Sequence, residues 1–220
     1  MTAPPRAVLL DVDGTLVDTN YLHVLAWQRA FRRAGLELPA SALHRHVGKG
    51  GDRYVAAVAG ADVERRCGDA VRAAHGEEYG RLLPEARPLP GARELVRALA
   101  RRGVPVALAS SGTAEEVDRY LDLLDVRDAL AGWTTAGDVA RSKPAPDLLA
   151  AALAHVGDAR PALLIGDTAW DGEAARAAGV DFVAVLTGGI AAAELRAAGA
   201  RAVYPSAAAI ADALDALGIA

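Results

Sequence analysis

The chain has 220 residues, enough for one sizeable hydrophobic core with a small inserted unit. Apolar residues make up 52% of it and charged residues 24%, which is typical of a soluble globular protein and excludes a disordered chain. A net charge of −4 without long lysine or arginine runs argues against a nucleic-acid partner. The single cysteine excludes an intrachain disulfide and favours a cytoplasmic location. We expect no signal peptide, because the N-terminal apolar stretch is too short for one, and no membrane span, because no later apolar run approaches about 20 residues.

Short apolar runs, each ended by polar or glycine residues, predict buried strands at residues 7–12, 104–110, 161–167 and 181–187. Helical spacing lies between them. In residues 91–103, for example, Leu95 and Leu99 recur on one helix face before Gly103. Strands that alternate with helices predict an α/β fold with a Rossmann-like, doubly wound parallel sheet.

Residues 19–83 interrupt this alternation. They contain helical stretches at 21–35 and 62–83, and no run in them resembles a buried strand. We interpret the segment as an α-helical cap inserted after the first strand, so that residues 1–18 and 84–220 form the core. The alternative is that these helices pack on the sheet as another layer.

Two carboxylates follow the first strand, in the stretch LLDVDGTLVDT. Asp11 and Asp13 are two residues apart, so both face one side at the carboxyl edge where open parallel sheets bind ligands. Close carboxylates repel each other unless a cation lies between them or one is protonated. This pattern favours a metal site, with Asp11 as nucleophile and ligand and Asp13 as proton donor and acceptor. A solvated turn is the alternative.

Polar residues also follow two later strands. Ser110, Ser111 and Gly112 precede a predicted helix, whose N-terminus suits an anionic phosphate. Asp167 ends another strand and Asp171 follows one helical turn later. Their hard oxygen ligands suit Mg²⁺, although either carboxylate could instead be a charge at a helix N-terminus.

Lysine is rare in this chain. Of its 24 basic residues, only Lys49 and Lys143 are lysines. Pro144 is expected at the first position of a helix, which would fix Lys143 just ahead of it as an active-site cation. Lys49 lies among glycines, and it is either a ligand-binding residue or a solvated loop residue.

The chain resembles the haloacid dehalogenase-like hydrolase superfamily, specifically the phosphatase branch with a helical cap that includes phosphoglycolate phosphatases and β-phosphoglucomutases. Four stretches carry the resemblance in the family's order: DVDGTLVDT, Ser110 in ALASS, Lys143 in SKPAPD, and GDTAWD. They extend over nearly the whole chain.

The resemblance implies an aspartyl-phosphate mechanism. Asp11 would attack phosphorus, and Asp13 would protonate the leaving group and later activate water. Ser110 and Lys143 would hold the phosphate. An acid at the position of Asp13 is absent from the dehalogenases of this superfamily, so its presence favours phosphate chemistry.

The resemblance also implies the cofactor. Mg²⁺ would be held by Asp11, the backbone carbonyl of Asp13 and Asp167, with Asp171 nearby. No histidine or cysteine cluster accompanies these oxygen ligands.

Substrate selection is expected from the cap, where His23, Lys49 and Arg53 are the candidate polar contacts. His23 is similar to a histidine at the same distance from the nucleophile in β-phosphoglucomutases and some capped phosphatases. Alternatively, it packs between core and cap. No second cap lysine follows Lys49 before Lys143, and this absence argues against a mutase.

We therefore expect a Mg²⁺-dependent phosphatase that acts on small phosphorylated metabolites, as a monomer or weak dimer. A β-phosphoglucomutase-like mutase and a non-catalytic interaction protein on the same fold are the alternatives. A dinucleotide-binding module is disfavoured because DVDGTL, rather than G-x-G-x-x-G, follows the first strand.

Overall fold

The computed structural model describes residues 4–219. The strands in this range are β1 (Ala7–Leu10), β2 (Val17–Asp18), β3 (Arg87–Pro88), β4 (Val106–Ala109), β5 (Gly132–Thr134), β6 (Ala162–Gly166), β7 (Asp181–Val185) and β8 (Ala202–Tyr204). The α-helices are α1 (Asn20–Arg33), α2 (Ala40–His44), α3 (Gly51–Ala59), α4 (Ala61–Leu82), α5 (Ala92–Arg101), α6 (Ala114–Leu124), α7 (Asp147–His155), α8 (Ala169–Ala178), α9 (Ala192–Ala197) and α10 (Ala207–Asp212). Among the described residues, no helix is both long and apolar enough to cross a bilayer.

The described chain contains a six-stranded sheet in the order β5-β4-β1-β6-β7-β8, with every neighbouring pair parallel. β1 is central, so the chain winds outward from it in both directions. In the β1 register, Leu10 lies opposite Leu108 of β4 and Ile165 of β6. The carboxyl ends of these three strands therefore lie side by side, at the position where such sheets bind ligands.

Successive residues of β1 face opposite layers of the molecule. Val8 and Leu10 belong to the core beneath α5, α6 and α10, whereas Ala7 and Leu9 belong to the core beneath α7, α8 and α9. Both sheet faces are thus covered, which explains why the central strands are apolar throughout. The predicted doubly wound α/β fold is confirmed.

Helices α1–α4 form an inserted region with a hydrophobic cluster of their own. Trp27, Phe31, Tyr54 and Val71 are among its buried members. The region lies between β2 and β3, which pair as a short antiparallel ribbon where the chain leaves the sheet and returns. The inserted helical region predicted from sequence is confirmed, and its limits at residues 19 and 83 stay a prediction.

The structure differs from the sequence prediction in two respects. Strands β2, β3, β5 and β8 were not predicted. β2 and β3 have only two residues each, and β5 and β8 have three residues each and lie at the sheet edges. The expectation that Pro144 begins a helix is wrong. α7 begins at Asp147, and Pro144 lies in a turn closed by the Ala145 N–H and the Ser142 carbonyl at 3.0 Å. Proline suits both positions, so sequence could not separate them.

Candidate active site

Three buried polar residues meet at one edge of the sheet. Asp11 directly follows β1, Ser110 follows β4 and Asp167 follows β6. The Asp11 N–H donates to the carbonyl of Ile165 at 2.9 Å, which extends the β1–β6 pairing up to the site. Backbone pairing therefore fixes the positions of these residues.

Lys143 lies in a buried ion-pair cluster. Its Nζ is 2.5 Å from Asp11 Oδ1 and 2.8 Å from Asp171 Oδ1, and its side chain is 1% exposed. Burial opposes the ammonium, but the two carboxylates outweigh it and raise the pKa of Lys143. The lysine is therefore held as a cation next to Asp11.

The carboxylates Asp11, Asp167 and Asp171 form a compact buried set, with one ligand oxygen from each within 4.8 Å of the others. Burial, together with Asp171 and Asp13, raises the pKa of Asp11 to about 7 against the opposing effect of Lys143. Burial also raises the pKa of Asp167 well above its usual range, and Asp11 and Asp171 add to it. One ammonium does not balance this concentration of acid groups, so a bound cation would stabilise their ionised forms. The oxygen-only donor set fits Mg²⁺.

Asp167 is fixed by two residues that sequence reasoning did not select. Thr15 Oγ1 donates to its Oδ1 at 3.0 Å, and Asn20 Nδ2 donates to its Oδ2 at 2.8 Å. Gly188 packs against the same carboxylate so closely that a Cβ there would lie 1.8 Å from Oδ2. Asp167 therefore has little freedom to rotate.

Asp171 has a helix-capping role as well as its ion pair. Its Oδ2 accepts from Thr168 N at 3.0 Å and from Thr168 Oγ1 at 2.6 Å, which completes the capping box of α8. Its Oδ1 faces Lys143. Both predicted roles, a helix N-terminal charge and a member of the acidic cluster, thus occur in one residue. Its direct ligation of a metal stays a prediction.

Asp13 has different surroundings from Asp11. Thr19 Oγ1 donates to its Oδ1 at 2.6 Å, and His23 Nε2 lies 3.4 Å from the same oxygen. Burial opposes ionisation, but the hydrogen bond and charge of His23, with the Thr19 hydroxyl, lower the pKa of Asp13 below its usual value. Asp13 is therefore held as a carboxylate in the free protein.

His75 was missed by sequence reasoning. Its Nε2 lies 3.2 Å from His23 Nδ1, and its ring stacks on Trp27 with 3.8 Å between centroids. Burial and the neighbouring His23 lower its pKa well below the usual histidine value, although Asp13 opposes this. Its four-residue spacing from Val71 and Tyr79, both buried on α4, was the available signal.

A cavity of about 240 Å³ lies between the sheet edge and the inserted helices. The predicted site residues that line it are Asp11, Asp13, His23, Lys49, Ser111, Gly112 and Lys143. Ser110 is buried, and its Oγ accepts the Gly112 N–H at 3.0 Å. Arg53 is absent from the described lining, and its Nε is 3.8 Å from Asp52.

Lys49 approaches the core from the inserted region. Its Nζ lies 3.7 Å from the ring centroid of Trp170 in α8 and 3.3 Å from His46 Nδ1. Burial and the nearby Arg53 lower the pKa of Lys49, whereas Glu173 opposes this shift. The side chain thus joins the inserted helices to the core at the cavity wall.

Comparison with known proteins identifies the family. The sequence pattern of the haloacid dehalogenase-like hydrolases matches residues 5–179, and the chain belongs to this family of hydrolases. The chain is 31% identical over 218 residues to the phosphoglycolate phosphatase of Rhodospirillum rubrum, covering 94% of this chain and 90% of that protein.

Two further relatives support this assignment. The validoxylamine A 7'-phosphate phosphatase of Streptomyces hygroscopicus subsp. limoneus is 31% identical over 148 residues, covering 64% of this chain and 67% of that protein. The crystal structure of a hydrolase from Pseudomonas syringae is similar with a TM-score of 0.89 and 31% identity, covering 96% of this chain and 98% of that one. The chain is a hydrolase whose named relatives include phosphatases.

Proposed function

We propose that this chain is a Mg²⁺-dependent phosphatase that hydrolyses small phosphorylated metabolites through an aspartyl-phosphate on Asp11. The observation that carries the proposal is the buried contact of Asp11 with Lys143, at the floor of a cavity next to Asp13. A nucleophile, a fixed cation and a proton acceptor are the groups that phosphoryl transfer to a carboxylate requires.

In the first step, an oxygen of Asp11 attacks phosphorus and the bond to the ester oxygen breaks. The negative charge of the bound phosphate ester favours the protonated form of Asp13, which gives its proton to that oxygen, so the leaving group departs as an alcohol. The Lys143 ammonium stabilises the charge on the nonbridging phosphoryl oxygens. Ser110 shapes the adjacent loop through Gly112, whose backbone lines the cavity.

In the second step, Asp13 takes a proton from water while the water oxygen attacks the phosphorus of the aspartyl-phosphate. The Asp11 carboxylate is released together with inorganic phosphate. Mg²⁺, held by Asp11, Asp167 and the backbone carbonyl of Asp13, would supply further charge neutralisation at the phosphoryl group. Asp171 orients Lys143 throughout.

The remaining features of the proposal are the substrate contacts and the setting. His23 and Lys49 line the cavity and are proposed to contact the alcohol portion of the substrate. Arg53, in α3, is proposed as a further contact. A cytoplasmic location and a monomeric or weakly dimeric state belong to the same proposal. Sedimentation at several protein concentrations tests the latter.

A phosphate-release assay with p-nitrophenyl phosphate tests the function. We expect release with Mg²⁺, none with EDTA, and recovery when Mg²⁺ is restored in excess. No release under any of these conditions would contradict the proposal and favour a non-catalytic interaction protein. A screen of phosphorylated metabolites then identifies the preferred substrate.

A sugar-phosphate mutase is the second candidate, and the contact between His23 and Asp13 favours it because His23 could assist proton transfer to a sugar hydroxyl. The charges at the cavity argue against it. Arg72 is engaged by Glu64 at 2.8 Å and by Asp69 at 2.6 Å, which leaves Lys49 as the available cation for a second phosphate among the described lining residues. Conversion of glucose 1-phosphate to its 6-phosphate faster than phosphate release would support the mutase.

A further inference from the structure

Asp52, in the first turn of α3, forms hydrogen bonds with Ser142, the residue that precedes Lys143. Asp52 Oδ1 accepts from Ser142 Oγ at 2.5 Å, and Asp52 Oδ2 accepts from Ser142 N at 3.3 Å. Ser142 is 7% exposed, and its Oγ in turn accepts the Gly50 N–H at 3.1 Å. Both donors of Ser142 therefore bind one carboxylate of the inserted region.

The backbone at position 50 approaches Ser142 closely because residue 50 is a glycine. A Cβ at position 50 would lie 2.5 Å from the Ser142 Cβ, so only glycine permits this contact without a shift. The glycine-flanked stretch HVGKGGDR, which matches neither a dinucleotide-binding nor a nucleoside-triphosphate-binding loop, has a structural use here. It lets α3 dock directly on the core beside Lys143.

Lys143 depends on its backbone for its position. Its ammonium must meet Asp11 and Asp171 at once, and its side chain is almost completely buried. It precedes a turn rather than a helix, since α7 begins only at Asp147. The turn closed by Ala145 N–H and the Ser142 carbonyl gives local support, and Asp52 supplies the support from the inserted region.

We propose that Asp52 is a positioning residue that grips Ser142 through both carboxylate oxygens and thereby holds the backbone of Lys143 in its catalytic position. Asp52 touches neither the reacting atoms nor the buried acidic cluster, and it acts through Ser142. The expected effect of Asp52 on kcat rests on the proposed function. The structural consequence of the proposal can be measured without substrate.

The chain offers a simple structural readout because lysine occurs only at positions 49 and 143. Labelling with ¹⁵N-lysine gives two backbone amide resonances, and Lys49→Arg identifies that of Lys143. Spectra are compared for the full-length wild type, Asp52→Ala and Asp52→Asn. The matched control is Asp62→Ala, which changes an exposed aspartate in the first turn of α4 whose ion-pair partner is Arg65.

We expect Asp52→Ala to shift or broaden the Lys143 resonance and to lower kcat for p-nitrophenyl phosphate about 3- to 30-fold, as for loss of a partly exposed charged hydrogen bond. The small ester must be affected because Lys143 acts on the phosphoryl group that every substrate shares. Asp52→Asn keeps one acceptor and should fall between wild type and Asp52→Ala. Asp62→Ala should match the wild type in both measurements.

An unchanged Lys143 resonance in Asp52→Ala would overturn the proposal. A changed resonance with wild-type kcat for the small ester would also overturn it, since Asp52 would then only dock the inserted helices. If the wild type hydrolyses no phosphate ester, the proposed function fails separately. The Lys143 resonance then decides the positioning role by itself.

Discussion

At the level of single residues, Asp11 and Asp13 show how surroundings can separate the pKa values of two identical side chains. Burial and nearby carboxylates raise the pKa of Asp11 to about 7, whereas His23 and Thr19 lower that of Asp13 despite its burial. Their separation in sequence is only two residues. The two environments shift the pKa values of identical side chains in opposite directions, and the proposal assigns Asp11 as the nucleophile and Asp13 as the proton carrier.

The first prediction concerns Asp11. Asp11→Asn should lower turnover of p-nitrophenyl phosphate by about 10³-fold or more, because the amide cannot form the acyl phosphate. The fold should persist, since Lys143 keeps its ion pair with Asp171. Circular dichroism and thermal unfolding check the fold, and Asp18→Asn, at an exposed position of β2, is the matched control. Turnover near the wild-type value would remove Asp11 as the nucleophile.

The second prediction separates the two steps. Asp13→Asn should still allow p-nitrophenyl phosphate to phosphorylate Asp11, because this leaving group needs no proton. Hydrolysis of the aspartyl-phosphate should slow by about 10²- to 10⁴-fold without a base to accept the proton of water. Acid quenching within the first turnover traps the phosphorylated protein. Failure to accumulate it while turnover is lost would contradict this division of roles.

At the level of elements, the loop after β7 restricts the side chain of Asp167, the residue that follows β6. Gly188 lies in this loop and packs against the carboxylate of Asp167, on which Thr15 and Asn20 also converge. The proposed ligand is thus positioned by segments distant in sequence. Loss of such outer contacts typically lowers metal affinity or activity by about 10- to 100-fold.

The third prediction tests this arrangement through the metal requirement. Gly188→Ala should raise the Mg²⁺ concentration for half-maximal activity about 10- to 100-fold, because its Cβ displaces the Asp167 carboxylate. Asp167→Ala should raise it at least as far. Gly80→Ala is the control, since position 80 of α4 has no atom within 4 Å of the added Cβ. An unchanged Mg²⁺ titration for both site variants would exclude Asp167 as a ligand.

His75, on helix α4, makes the stability of the fold depend on pH. Burial and His23 hold its pKa well below the usual 6.5, so the folded protein keeps it neutral while the unfolded chain protonates it. The unfolded state therefore binds more protons below about pH 6.5, and stability falls as the pH is lowered towards the folded-state pKa. Above that window His75 adds no pH dependence.

The fourth prediction follows from this linkage. His75→Gln removes the titrating ring but keeps an amide donor towards His23. Between about pH 6.5 and 5, the wild type should lose up to about 1.4 kcal/mol of unfolding free energy per pH unit more than the variant. Urea unfolding at several pH values measures the difference, with about pH 8 as the reference. Parallel stability curves for the two proteins would contradict the prediction.

At the level of the whole molecule, the cavity is formed jointly by the core and the inserted helices. The core supplies Asp11, Asp13 and Lys143, whereas the inserted region supplies His23, from α1, and Lys49, from the segment between α2 and α3. In the proposed function, the core would supply the chemistry common to all phosphate esters, and the inserted region would supply the contacts with the rest of the substrate. This arrangement favours selection by the inserted helices and catalysis by the sheet edge.

The fifth prediction concerns that separation. Substitution of His23, Lys49 or Arg53 by alanine should change the ranking of metabolite substrates by kcat/KM more than it changes hydrolysis of p-nitrophenyl phosphate. The small ester makes few contacts with the inserted helices. We also expect net phosphate release without a bisphosphate activator. Equal effects on all substrates would contradict the assignment, and dependence on a bisphosphate would favour the mutase.

The sequence by itself determined the parts of this protein that depend on local pattern. Apolar runs ended by polar residues predicted the central strands, and their order predicted the parallel sheet with its inserted helices. The same pattern selected Asp11, Asp13 and Asp167, because parallel strands bring their carboxyl ends to one edge whatever lies between them in sequence. Lys143 was selected because lysine is rare in this chain. Edge strands β5 and β8 escaped prediction because three residues carry too little periodic signal.

Only the tertiary structure decided which residues support those groups. Thr15 and Asn20 bind Asp167, His75 binds His23, and Asp52 binds Ser142. These pairs join residues that lie 52 to 152 positions apart in sequence, so no helix or strand period relates them. Polar side chains of this kind look the same in sequence as residues on a solvated surface. Packing of the inserted helices against the sheet edge gives them their partners, and a local pattern does not encode that packing.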